Sequence, residues 1–193
     1  MKTQNQTMLS ENTLTSRPTD IIAGFPVRPG FFELNGATPL SNGVNFTTHT
    51  RHGTSCELLL FHSGEEEPFA VLPFPNACRI GDVYSMIVMG LDIEDLEYGY
   101  RIDGPYEPEK GHIFDKTKVL LDPYAKAVAG QREWGQQKIG SYHARVVRDS
   151  FDWEDMPQST RKISDLIIYE LHVRGFTRDA SSCLLYTSDA ADE

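Results

Sequence analysis

The 193 residues allow one domain and part of another, which excludes a complete catalytic barrel with its own accessory domain. The residues are 39% hydrophobic and 24% charged, with 15 Gly and 11 Pro, which is typical of a soluble, loop-rich globular protein and not of a collagen-like or coiled-coil chain. The 28 acidic and 18 basic residues give a net charge of −10, which argues against non-specific binding to nucleic acid or to anionic membranes.

The first 20 residues are rich in Asn, Gln, Ser and Thr and show no hydrophobic period. We therefore expect residues 1–20 to form a disordered leader. They lack the basic and apolar blocks of a secretory signal, and no stretch of the chain approaches the roughly 18 apolar residues of a membrane span. Together these features predict a cytoplasmic protein.

Residues 21–105 have the alternation and punctuation of an all-β domain. In residues 43–49 apolar and polar side chains alternate, which predicts a half-exposed strand, whereas the nearly continuous apolar run 56–61 predicts a central strand. Residues 83–91 and 97–102 add two further alternating segments. Strands at this spacing predict an immunoglobulin-like β-sandwich, and their alternating tyrosines are expected in its core, at Tyr84, Tyr98 and Tyr100.

No metal site or cofactor is indicated. The cysteines have no Cys-x-x-Cys spacing, and we interpret Cys56 and Cys78 as ordinary reduced thiols. His112 and His143 have no second ligand at metal spacing, which favours surface or hydrogen-bonding roles. The acidic triplet 65–67 is expected to be a solvated turn, because a hard cation needs ligands from several directions.

Residues 106–162 are predicted to form an irregular connecting segment with one short helix. Asp122 is a suitable N-cap, Pro123 suits the first helical position, and Gly130 is a plausible C′ residue. Good helix formers lie between them.

The most apolar long segment of the chain, residues 165–173, has two different faces if it is a strand. One face is apolar, and the other carries Glu170 and His172. This pattern suits the first strand of a (β/α)₈ barrel, with a central strand of the sandwich as the alternative. In a barrel, Glu170 and His172 would either support the active-site loops by hydrogen bonds or form a purely structural buried pair.

Several motifs occur together in an order that resembles the isoamylase and glycogen debranching enzymes of the α-amylase superfamily. Their sequences are LEYGYR (96–101), GPY (104–106), GH-x-F (111–114), K-x-LLDPYAKA (118–127) and IYELHVRGFT (168–177). The resemblance covers roughly residues 24–182. It implies an N-terminal β-sandwich of the isoamylase carbohydrate-binding type, residues 21–105, followed by a catalytic barrel that hydrolyses α-1,6 branch linkages.

Only the start of that barrel, residues 163–182, is expected in this chain. Retaining hydrolysis needs two carboxylates about 5 Å apart, and the resemblance places both on later barrel strands, so no catalytic residue is carried over. Residues 183–193 resemble a translated sequencing adapter, and we expect them to be an artefact. The apolar face left by truncation predicts self-association or disorder of residues 165–173.

The resemblance implies an α-glucan partner such as glycogen or maltodextrin. Because aromatic rings stack on pyranose faces, Trp134 and Tyr106 are the candidate substrate-binding residues, although Trp134 suits a domain interface equally well. The sandwich could alternatively be only a structural support for the barrel.

Two other functions are compatible with a β-sandwich. A non-catalytic glucan-binding or regulatory module is the main alternative, and the barrel-type run 165–173 argues against it. A generic immunoglobulin-like interaction domain does not explain the motifs between residues 104 and 124.

Overall fold

The computed structural model describes residues 17–130, 142–148, 152, 161–172, 175 and 178. Within these residues the chain forms thirteen strands and three short 3-10 turns. The strands are β1 (Asp20–Ile22), β2 (Phe25–Pro29), β3 (Gly36–Pro39), β4 (Gly43–His49), β5 (Ser55–His62), β6 (Ala70–Pro73), β7 (Arg79–Ile80), β8 (Val83–Met89), β9 (Leu96–Asp103), β10 (Tyr106–Glu107), β11 (His112–Ile113), β12 (Ala127–Ala129) and β13 (His143–Arg145). The 3-10 turns are Asn76–Cys78, Pro108–Lys110 and Ile163–Asp165.

The strands form two antiparallel sheets and a separate hairpin. One sheet has the order β1-β2-β8-β4-β3, with β7 also paired to β8, and the other has the order β12-β13-β9-β5-β6. Their buried side chains form one hydrophobic core, in which the rings of Phe46 and Tyr98 meet edge to face at 5.1 Å. The prediction of a mainly β fold is therefore confirmed. The described residues include no helix that is long and apolar enough to cross a membrane.

The core contains the tyrosines that the alternation placed there. Tyr84, Tyr98 and Tyr100 are all buried. Strand β5 lies between β9 and β6, so the prediction that it is central is also confirmed.

Strand β4 is not half-exposed as its alternation predicted. Its residues are buried from Gly43 to Thr48, because residues 30–34 cross its outer face and hydrogen-bond to the Asn45 and Thr47 side chains. The Phe31 amide donates a hydrogen bond of 2.8 Å to Asn45 Oδ1, and Thr47 Oγ1 lies 2.6 Å from Ser85 Oγ. A buried polar network therefore holds residues 30–34 against β4. The alternating pattern identified the polar residues of β4 but did not predict that they are buried.

The prediction of an irregular segment with a helix was wrong in two places. Strands β12 and β13 lie in that segment and join the edge of the second sheet, where Ala144 pairs with Tyr98. No helix starts at Asp122: its Oδ1 accepts the Tyr124 amide, and the Ala125 amide donates to the Asp122 carbonyl, which closes a turn. Residues 127–129 then pair with β13 instead of continuing into a helix, because sheet pairing outweighs a weak helix propensity.

The predicted barrel strand is not confirmed. Residues 163–165 form a 3-10 turn, and residues 166–172 pair with no strand in the described part of the chain. Val173 lies outside the described residues. A strand requires a neighbour for its backbone N–H and C=O groups, so the apolar pattern alone does not make one. Residues 151–193 form a unit separate from residues 1–150.

The second unit exposes large apolar side chains, and this predicts self-association. Ile167 is 98% exposed, and Ile168 and Tyr169 are more than 70% exposed. Because contiguous exposed apolar surface favours association, we expect the mass measured by light scattering after gel filtration to rise with chain concentration. Ile167→Glu should reduce that rise, whereas Lys162→Glu in the same segment should not. A monomer mass at every concentration would contradict the prediction.

The two described cysteines are expected to be unreactive in the folded chain. Cys56 and Cys78 are free and buried. Burial raises the pKa of the Cys56 thiol to about 12 and that of Cys78 to about 11, and only the thiolate is a good nucleophile. In a Cys183→Ser background at mildly alkaline pH, we expect a disulfide reagent to label neither thiol until guanidinium chloride is added. Rapid labelling of the native chain would contradict the burial of these thiols.

Candidate functional site

The motifs of β9 and of residues 120–127 meet in a buried hydrogen bond. The Tyr98 hydroxyl donates to Asp122 Oδ2 at 2.7 Å, and the Tyr124 amide donates to Asp122 Oδ1 at 2.9 Å. Asp122 is only 2% exposed. Two segments 24 residues apart are thus joined by one carboxyl group.

Burial shifts the pKa values of both side chains in this contact, Asp122 and Tyr98. It raises the pKa of Asp122 above 3.8, while the hydrogen bonds from the Tyr124 amide and the Tyr98 hydroxyl partly lower that pKa. Burial, followed by the charge of Asp122, raises the pKa of Tyr98 far above its ordinary value. Tyr98 therefore stays protonated and serves as a hydrogen-bond donor.

Two glycines of the motifs allow the following segment to pack closely on β9. A Cβ on Gly99 would lie 2.6 Å from Val119 Cγ1, and a Cβ on Gly104 would lie 2.6 Å from the Phe114 ring. Beside Gly99, the amides and carbonyls of Tyr100 and Leu120 exchange two hydrogen bonds of 2.9 and 2.7 Å. Both contacts are too close for a side chain at either glycine.

A buried acid–histidine pair lies on the outer face of the second sheet. Glu97 Oε2 lies 3.1 Å from His143 Nδ1, and the Ser63 hydroxyl donates to Glu97 Oε1 at 3.1 Å. The His143 ring stacks on Phe61 with centroids 3.8 Å apart. The prediction of a hydrogen-bonding role for His143 is confirmed, but in a buried position and not at the surface, because β13 joins the sheet beside β9.

One end of the sandwich carries an aromatic surface, made of the half-buried Phe25 and the exposed His62 and Phe69. The Phe69 ring is stacked on His62 at 4.4 Å and lies 6.2 Å from Phe25. His62 Nδ1 lies 3.0 Å from Asp95 Oδ2, which orients its ring. A cavity of about 210 Å³ opens beside these rings. Flat rings next to a carboxylate can stack on a sugar and accept its hydroxyl protons.

A second concavity, here termed the polar groove, has a cavity volume of about 580 Å³. It lies at the other end of the β5–β9 pair, where Ser55 is opposite Asp103 and Glu57 is opposite Arg101. The loop after β11 supplies the remaining wall. Its lining is Ser55, Glu57, Arg101, Asp103, Lys116 and Thr117.

The predicted site residues differ in their positions and in their contacts. Tyr106 is 71% exposed and pairs with Ile113 in the β10–β11 hairpin. Trp134 lies outside the described residues. Glu170 and His172 are both exposed, and the Gly175 amide donates to His172 Nδ1 at 3.0 Å. The glucan contacts of Tyr106 and Trp134 and the supporting role of Glu170 and His172 stay predictions.

Among the described residues, no three His, Cys, Asp or Glu side chains are arranged to hold a metal ion. The His112 ring packs instead against His52, with centroids 4.6 Å apart. The residues 65–67 are exposed in the turn between β5 and β6.

The segment that carries the motifs matches a known family. Residues 35–125 match carbohydrate-binding module 48, the isoamylase N-terminal domain. They form a CBM48 module. Curated relatives are isoamylases and glycogen debranching enzymes. Isoamylase 1 of Arabidopsis thaliana is 36% identical over 158 residues, covering 76% of this chain and 20% of the relative. The glycogen debranching enzyme of Salmonella typhi is 35% identical over 156 residues, covering 74% and 23%.

The structural neighbours of the chain are pullulanases. The pullulanase of Paenibacillus barengoltzii in complex with maltohexaose and α-cyclodextrin aligns with a TM-score of 0.52 at 21% identity, covering 78% of this chain and 21% of that one. At this identity the likeness establishes the fold alone. The chain spans about a fifth of the length of the curated relatives it matches.

Sequence reasoning missed the aromatic surface and the polar groove. Phe25, His62 and Phe69 are far apart in the sequence, and only the stacking of the two sheets brings them together. The polar groove had a weak signal, since Arg101 and Asp103 alternate with the core residues of β9. Their partners on β5 follow only from the strand register.

Proposed function

We propose that this chain is the glucan-binding part of a glycoside hydrolase that cleaves α-1,6 branch linkages in glycogen or related α-glucans. The observation that carries the proposal is the CBM48 module at residues 35–125 together with relatives that are isoamylases and glycogen debranching enzymes. In this proposal the 193 residues bind glucan, and the catalytic barrel belongs to a longer protein that acts in the cytoplasm.

The aromatic surface is the proposed contact with glucan. Phe69 is 41% exposed, and His62 lies parallel enough to extend its face, with 29° between the ring planes. An aromatic face removes the apolar side of a pyranose from water. The carboxylates of Asp92 and Asp95 line the same cavity and can accept hydrogen bonds from sugar hydroxyls. Trp134 and Tyr106 remain proposed additional contacts.

The 193-residue chain is proposed to be inactive by itself. Hydrolysis with retention needs one carboxylate as nucleophile and a second as acid and base on opposite sides of the scissile bond. In our proposal both belong to the barrel of the longer protein, where Glu170 and His172 support the active-site loops. The chemistry requires only these carboxylates and water, so no cofactor is invoked.

Glucan binding and hydrolysis can be tested separately. Affinity electrophoresis in gels containing glycogen should retard the chain, and Phe69→Ala should largely abolish the retardation. Phe32→Ala is a suitable control, since Phe32 does not line the aromatic-surface cavity.

The longer protein, expressed from the source gene, should release linear chains from glycogen. A longer protein without such activity would refute the debranching proposal.

A non-catalytic glucan-binding or regulatory module is the second candidate. The observation that favours it is that the aromatic surface and the polar groove are built entirely by strands and loops of residues 25–117. Sequencing the source DNA beyond the codon for Ser182 distinguishes the two. An open frame with an Asp and a Glu at the ends of later barrel strands supports the hydrolase, and an authentic stop codon after Glu193 supports the module.

A further inference from the structure

The polar groove contains charged donors that the protein itself leaves unused. The Arg101 guanidinium and the Lys116 ammonium donate no hydrogen bond to any described residue, and Arg101 Nε is shielded from water without an acceptor. Their nearest carboxylates are too far for a hydrogen bond: Arg101 Nε lies 3.8 Å from Glu57 Oε2, and Lys116 Nζ lies 3.9 Å from Asp103 Oδ2. The Arg101 side chain is 31% exposed and that of Lys116 is 73% exposed, so the terminal nitrogens of both residues are available to a ligand.

The paired charges that line the polar groove favour a neutral ligand with many hydroxyl groups. Two carboxylates face two cations, so the charges balance and an anion would meet Glu57 and Asp103. A hydroxyl group can accept from a cation and donate to a carboxylate at the same time. One sugar hydroxyl between Arg101 and Glu57, and another between Lys116 and Asp103, would satisfy both pairs with short hydrogen bonds in place of long ion pairs.

An exposed ring lies close to the groove. Asp103 ends β9 and Tyr106 begins β10, so their Cα atoms are at most about 11 Å apart. Tyr106 is 71% exposed. It can therefore stack on a sugar unit next to the one held by the charged walls.

We propose that the polar groove is a second α-glucan subsite, separate from the aromatic surface, in which Glu57, Arg101, Asp103 and Lys116 bind sugar hydroxyls and Tyr106 stacks on an adjacent unit. The ligand class rests on the proposed function, whereas the location rests on the groove itself. A glucan chain bound here lies across the outer face of the β5–β9 pair.

The test is an NMR titration of the full 193-residue chain with maltoheptaose. The amide signals of residues 55–57, 101–103 and 116–117 should shift on binding, together with that of Tyr106. Glu57→Gln and Lys116→Met should each weaken binding at these signals about tenfold, the effect of losing one charge-assisted hydrogen bond. Glu65→Gln and Lys126→Met, which change exposed residues outside the groove, should leave the affinity unchanged. Lys116 has a side chain that is 73% exposed, so its substitution should not impair folding.

Each outcome has a separate meaning. Shifts confined to the signals of the aromatic surface, or equal affinities of the groove variants and the parent chain, would overturn the groove while leaving glucan binding intact. Absence of any shift with maltoheptaose would overturn the groove as well, and the hydrolysis assay on the longer protein then decides the proposed function independently. Titration with inorganic phosphate should not shift the groove signals; if it does, the groove is an anion site and the sugar assignment is wrong.

Discussion

Glu97→Ala should lower the free energy of unfolding by about 3 kcal/mol, the expected cost of leaving buried hydrogen-bonding groups without their carboxylate partner. Glu97 is 2% exposed, and its two oxygens bind His143 Nδ1 and the Ser63 hydroxyl. Removing the carboxylate leaves the buried His143 nitrogen without its partner. The same substitution weakens the anchor between β9, β13 and the turn after β5. Chemical denaturation monitored by circular dichroism measures the change.

Two variants control this experiment. Glu65→Ala removes a carboxylate from the exposed turn and should change the stability by less than about 0.5 kcal/mol. Glu97→Gln keeps the shape and one acceptor oxygen, so its cost should lie between those of the two alanine variants. If Glu97→Ala is no more destabilising than Glu65→Ala, the pair does not hold these elements together. A double-mutant cycle with His143→Ala should give a coupling energy of about 1 kcal/mol or more.

The sandwich could be predicted because its signals are local. Alternation and apolar runs located β4, β5, β8 and β9, and the buried tyrosines followed from the same parity. Pairings between distant segments produced the errors. Local propensity predicts a helix at residues 127–129 because the sequence does not reveal that residues 143–145 lie beside them. The alternation predicts a half-exposed β4 because nothing local shows residues 30–34 crossing it.

The candidate sites were less predictable than the fold for the same reason. Tyr106 is an exposed aromatic residue within a recognisable motif, three residues after Asp103 of the polar groove. The stacked rings of His62 and Phe69 and the facing charges of Glu57 and Arg101 exist only once register and sheet packing are fixed. The motifs therefore identified the family, whereas three-dimensional contacts were needed to find the aromatic surface and the polar groove.

Tyr98→Phe should cost about 2 kcal/mol at neutral pH, the value of a hydrogen bond to a charged group. The Tyr98 hydroxyl is a 2.7 Å donor to the buried Asp122. Tyr100→Phe is the matched control on the same strand: Tyr100 is equally buried, but its hydroxyl has no hydrogen-bond partner among the described residues. Removing that hydroxyl should be neutral or slightly stabilising. Equal costs for the two variants would contradict a specific role for the Tyr98–Asp122 contact.

The pH dependence of this contact has a defined sign. Because burial raises the pKa of Asp122 above 3.8, the folded chain binds this proton more tightly than the unfolded chain. The associated stabilisation is fully present below pH 3.8 and is lost as the pH rises through the pKa of the folded state. Asp122→Asn cannot ionise: its one carbonyl oxygen can still accept from the Tyr124 amide, and its NH2 group can donate to the Tyr98 hydroxyl. The stability of Asp122→Asn relative to the parent chain should therefore increase across this range. The cost of Tyr98→Phe should rise over the same interval, because the acceptor becomes charged.

Measurement of unfolding free energies of the parent chain and these variants from below pH 3.8 to neutrality tests both slopes, and a parent chain that gains stability relative to Asp122→Asn with rising pH would refute the raised pKa.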